Sequence, residues 1–76
     1  MNNEELNTAL YKKMFAEQKA YKDWLLVQPA EEILRNAYEY VMREDILLNL
    51  ENNDLSDRYA TMLLKMDKPL AAVFNK

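Results

Sequence analysis

Apolar residues recur at helical spacing along nearly the whole chain, and the breaks between runs divide it into segments. Leu6, Leu10, Met14, Tyr21, Trp24 and Leu25 fall on one side, with Glu5, Lys12, Lys19 and Asp23 on the other. The spacing predicts one long amphipathic helix ending near Val27. Asn2 or Asn3 can cap its start, with Glu4 and Glu5 favourably placed in its first turn. Tyr11, Phe15 and Leu26 lie beside the main stripe as a second apolar strip. A third helix is expected to cover them; the alternative is an exposed aromatic strip that meets a partner.

Gln28-Pro29 ends this helix, because the residue before proline is pushed out of the α region. The connection is short, so the first two helices should form an antiparallel hairpin. From Pro29 to Asp45 the pattern is the clearest in the chain. Glu31, Arg35, Glu39 and Arg43 alternate in charge at four-residue steps and are expected to face water, while Ile33, Leu34, Ala37, Tyr40 and Val41 form the expected inward stripe. One conflict follows. On an unbroken helix Glu44 falls in that stripe, between Val41 and Leu48, where an unpaired carboxylate costs several kcal/mol. A kink, a helix end or a local ion pair near Arg43-Glu44-Asp45 would relieve it; a cleft or interface there would give the acids a role.

Ile46-Leu47-Leu48-Asn49-Leu50 continues the second helix or forms a short third one, and Glu51-Asn52-Asn53-Asp54 ends it, since Asn tolerates the left-handed conformation. Ser56 is a good N-cap for a further helix, with Leu55 placed for a staple contact with Ala60 and Tyr59, Met62, Leu63 and Met66 as the expected buried side. Asp67-Lys68-Pro69 stops it. Pro69 can open a last turn that docks Leu70, Val73 and Phe74.

The expected fold is therefore all-α, a small bundle of three to five helices in a single domain spanning residues 1–76. The absence of Gly agrees, since tight hairpin turns depend on it. At this length one core gives only a few kcal/mol of net stability, so a partner or a homodimer would help. No apolar run approaches the roughly 20 residues that span a bilayer, and MNNEEL lacks a secretory signal, so no membrane association and a cytoplasmic location are expected.

The formal net charge of −3 is unevenly spread: residues 1–28 balance, residues 29–58 carry eight acids against three bases, and residues 59–76 carry three bases against one acid. An acidic middle opposes nucleic-acid binding, which depends on Lys and Arg neutralising phosphates. The segment Asp45 to Lys65 does read as helix, turn, helix, but its second helix presents Asp57, Arg58, Thr61 and Lys65 with Asp54 just before it, one acid for each base.

With no His and no Cys, the commonest general base, metal ligands and strongest nucleophile are missing. Glu44 and Asp45, the best carboxylate pair, diverge by about 100° on a helix. Asn52, Asn53, Asp54, Ser56 and Asp57 lack the glycine turn and terminal bidentate Glu of a calcium loop. The expectation is a non-enzymatic chain with no catalytic residue, no metal site and no cofactor.

The runs LYKKMFAEQKAYKDWL, PAEEILRNAYEYVMREDIL and LENNDLSDRYATMLLKMDKPLAAVF resemble the bacterial domain-of-unknown-function family 3848. Tyr11, Trp24, Ala37-Tyr38-Glu39-Tyr40, Arg43-Glu44-Asp45 and Pro69-Leu70 carry the likeness. It implies a mobile-element context and no catalytic motif. The chain stops soon after Phe74, where members of the family are expected to continue, which would make it a shortened form.

Together these features point to a small protein-binding module acting in regulation or in interference between a mobile element and its host. A variant of this reading has the acidic middle imitating nucleic acid to block a nuclease or CRISPR effector; a further alternative is a helix-turn-helix-like DNA-binding protein. The expected partner-binding residues are Arg43, Glu44 and Asp45, with whichever of Tyr11, Phe15 and Tyr38 is exposed.

Overall fold

The computed structural model describes residues 1–75 and contains four helices: α1 (Asn3–Leu26), α2 (Ala30–Asn52), α3 (Asp57–Leu64) and α4 (Pro69–Phe74). The fold is the small all-α bundle that the pattern predicts. α1 and α2 form the antiparallel hairpin, α3 packs on α1, and α4 packs on both α2 and α1. The body is elongated, about 43 × 18 × 18 Å.

The helix starts follow from local chemistry. Asn2 caps α1 in a full capping box: its Oδ1 accepts from the Glu5 backbone N–H at 2.8 Å, and the Asn2 N–H donates to Glu5 Oε1 at 3.2 Å. α1 stops where Gln28-Pro29 forbids another turn, and Pro29 in extended backbone (φ −58°, ψ 154°) presents its carbonyl to the first N–H groups of α2. Ser56 caps α3 by accepting from the Tyr59 N–H, and Pro69 opens α4.

Leu6, Leu10 and Met14 of α1, Leu47 of α2, Ala60 and Leu63 of α3 and Leu70 of α4 make one buried core. A polar edge of α1 fastens the other elements to it. Asn7 donates to the Leu55 carbonyl at 3.0 Å and accepts from the Leu55 N–H at 2.8 Å, while Asn3 donates to the same carbonyl and to Asp57 Oδ1, pinning the α2–α3 loop. Lys13 donates to the Leu64 carbonyl at 2.9 Å, a cation at the negative end of α3. Glu17 accepts from the Leu70 and Ala71 N–H groups at 2.8 and 2.9 Å, an anion at the positive end of α4.

Several expectations about faces need correction. α2 runs unbroken from Ala30 to Asn52, without a kink or end at Arg43-Glu44-Asp45. Its inward residues are Arg43 and Leu47, while Leu34, Val41 and Leu48 are exposed, so the stripe is rotated from the expected one and Glu44 falls on the surface. The charge ladder does not all face water: Glu39 is half-buried and Arg43 is buried. No third helix covers Phe15 and Leu26, which are exposed. In α3 the buried residues are Ala60 and Leu63, while Tyr59 and Met62 are exposed. Asn53 ends α2 in extended backbone rather than the left-handed region (φ −140°).

Candidate functional site

Arg43 is the centre of the most elaborate polar cluster. Its Nε and Nη2 donate to Glu39 Oε2 at 2.9 and 2.6 Å, and its Nη1 lies 3.6 Å from Glu17 Oε2. The guanidinium also lies over the Tyr21 ring at 4.3 Å from the centroid, with Phe74 at 5.8 Å. Three elements thus meet at one buried cation: α1 (Glu17, Tyr21), α2 (Glu39) and α4 (Phe74, and the N–H groups that Glu17 accepts from). Burial pushes the Tyr21 phenol above its ordinary pKa, the Glu39 carboxylate adds to the rise and Arg43 opposes it. Arg43 is thereby committed inward, to holding helices together.

Its sequence neighbours diverge from it. Gln18, buried on α1, donates through Nε2 to the Tyr40 carbonyl at 3.1 Å and to Glu44 Oε1 at 3.0 Å. Two acceptors facing one amide nitrogen fix which way that amide points. Glu44 itself is exposed, so the Gln18 bond ties it to α1 and does not compensate a buried charge. Burial raises the Tyr40 pKa, and the Glu44 carboxylate beside it adds to the rise. Asp45 is exposed and makes no ion pair among the described residues.

The aromatic candidates do not share one surface. Tyr11 and Phe15 stack on α1 with centroids 6.1 Å apart, Phe15 exposed and Tyr11 half-buried. Tyr38 stands exposed on α2. Tyr11 instead borders a shallow notch with three acids, Glu4, Glu51 and Asp54. No group of acids among the described residues has the arrangement to hold a metal ion.

The concavity best suited to a ligand lies elsewhere, where α3 leans away from α2. Ile46, Leu50, Leu55, Tyr59, Met62 and Val73 line an open groove of about 270 Å³ that is almost wholly apolar. Sequence reasoning placed Tyr59 and Met62 in the core and so missed it. The available signal was the shortness of α3: Ala60 and Leu63 alone fill its contact with α1, leaving Tyr59 and Met62 on the flank.

A family model described as a protein of unknown function (DUF3848) matches residues 6–76. No curated protein and no solved structure matches the chain.

Proposed function

The chain belongs to the DUF3848 family of proteins of unknown function, and from that premise we propose that it is a small non-enzymatic module that binds a partner protein. The occupant is an amphipathic helix of the partner, laid in the groove between α2 and α3 with apolar anchors at i, i+3 or i+4 and i+7. One observation carries this reading: the groove is lined by apolar side chains yet left open by the chain's own helices. Met62 in its wall is unbranched and adaptable, and Tyr59 offers a large amphipathic face, both suited to an interface. Glu51, Asp54 and Asp57 are exposed on the acidic middle of the chain, so Lys or Arg should flank the anchors. The setting in regulation or interference between a mobile element and its host belongs to the same proposal and rests on the family resemblance.

Selection of helical peptides from a displayed library tests it. The expected winners carry apolar residues at helical spacing with basic flanks, bind in the micromolar range, and lose at least about tenfold in affinity to Met62→Glu, which places a charge in the groove. Winners without that pattern, or indifferent to Met62→Glu, overturn the reading. A nucleic-acid mimic would instead depend on charge, and its binding would fall steeply as salt rises. A DNA-binding module would shift labelled duplex; its would-be recognition helix, α3, is only eight residues long and begins with Asp57 and Arg58.

A further inference from the structure

α2 carries a second apolar stripe, turned away from the rest of the fold. Leu34, Tyr38, Val41 and Leu48 are 78%, 70%, 55% and 58% exposed. With Asp45 between the last two, the series advances by four, three, four and three residues, the repeat of a coiled-coil seam. At about 100° per residue these positions fall within about 80° of helix surface. The intramolecular packing of α2 is made from the opposite side, by Arg43 and Leu47.

We infer that this stripe is the seam of an antiparallel homodimer, in which α2 packs against α2 of a second copy about a twofold axis at Val41. The series is self-complementary about that residue. Leu34 and Leu48 lie equally far on either side, so each meets the other residue of the second copy, and Val41 meets Val41. Charge selects the direction. Parallel pairing sets Asp45 beside Asp45 of the second copy, two like charges in one layer, whereas antiparallel pairing sets it beside Tyr38 of the second copy and within the range of that copy's Arg35. Asp45 has no ion-pair partner among the described residues, and Arg35 holds only Glu32, with its own side chain 69% exposed. On the flanks, Glu44 lies opposite Ala37 and Glu31 opposite Asn49, so no two acids oppose each other. Pairing two elongated hairpins along α2 also enlarges the core of a chain close to the lower size limit for independent stability.

The chain contains no cysteine, so single introduced cysteines report the geometry directly. Sedimentation at up to about 100 µM should give twice the monomer mass, a concentration suited to a micromolar dimer. Under mild oxidation Val41→Cys should cross-link to itself. Leu34→Cys alone should not, but should cross-link when mixed with Leu48→Cys. Val41→Asp, which sets two acids on the axis, should weaken the dimer at least about tenfold while circular dichroism shows helix content retained. Exchanging the charges in Arg35→Asp/Asp45→Arg should restore what Asp45→Arg alone loses. A monomeric mass throughout that range, or Leu34→Cys cross-linking to itself, overturns the inference. Val41 lies outside the groove, so Val41→Asp should leave peptide binding intact and Met62→Glu should leave the dimer intact.

Discussion

Glu17 on α1 and Arg43 on α2 approach to 3.6 Å with side chains only 11% and 8% exposed, and the same Glu17 carboxylate accepts from the first N–H groups of α4. One acid therefore both neutralises a buried cation and caps a helix that has no cap of its own, since Lys68 at the N-cap position makes no side-chain bond. Neither partner can be removed without leaving uncompensated groups on the other.

Arg43→Ala should destabilise the fold by about 3 kcal/mol, because it strands Glu17 and Glu39 and empties the space between Tyr21 and Phe74. Arg43→Lys should recover only part of this, since an ammonium cannot reproduce the planar fork or its stacking. Urea denaturation monitored by circular dichroism measures both.

Glu17→Ala should cost about 1–2 kcal/mol through the lost cap, and more through the unbalanced Arg43. A double-mutant cycle with Arg43→Ala should give a coupling energy well away from zero, as residues sharing one network do. Additive losses would mean that the two side chains act independently.

Asn7→Ala should cost about 1–3 kcal/mol despite removing no apolar contact, because the Leu55 N–H loses its partner at a half-buried site and the Leu55 carbonyl is left with Asn3 alone. Asn7→Asp keeps the acceptor and loses the donor, so it should fall between the two. Thermal melts of the three proteins give the order.

Stability should fall in alkali. The Tyr21 and Tyr40 phenols have pKa values raised on folding, so between the unfolded and folded values the native state holds more protons than the unfolded one. Their contribution is intact below about pH 10 and is lost as pH rises through the folded values. Tyr21→Phe should flatten this alkaline slope with little effect at neutral pH, since the Tyr21 hydroxyl has no hydrogen-bond partner. Denaturation midpoints from pH 7 to 11 provide the comparison.

What was legible in the sequence was what adjacent residues decide. Asn2, Ser56 and Pro69 mark helix starts through their own side chains or rings, and the hairpin follows from Gln28-Pro29. The face that α2 buries was not legible, because the helix is apolar on two sides. Leu34, Tyr38, Val41 and Leu48 make as good a stripe as Ile46, Leu47 and Leu50, and only the docking of α1 and α4 against α2 decides between them. Arg43 was read as a surface charge for a related reason: its Glu39 contact is a four-residue ladder step on an exposed helix as well as in this cluster, while Glu17 and Tyr21 reach it from another helix. The Asn7 bonds to Leu55 span 48 residues and leave no local trace. The groove depends on how far α3 stands from α2, a distance set by the whole core.

The edge of α1 formed by Asn3, Asn7, Lys13 and Glu17 anchors everything that follows α2, and all of it lies in the first two-thirds of that helix. Beyond Tyr21, and before Glu39 on α2, Leu25 is the only buried residue. Amide hydrogen exchange should therefore be graded along the molecule. N–H groups near Met14 and Leu47 should exchange only through global unfolding, and those around the turn at Pro29 through opening of the tip alone. The molecule then has a slow end and a fast end. Binding at the tip would register as added protection there, and binding at the base would leave the gradient almost unchanged.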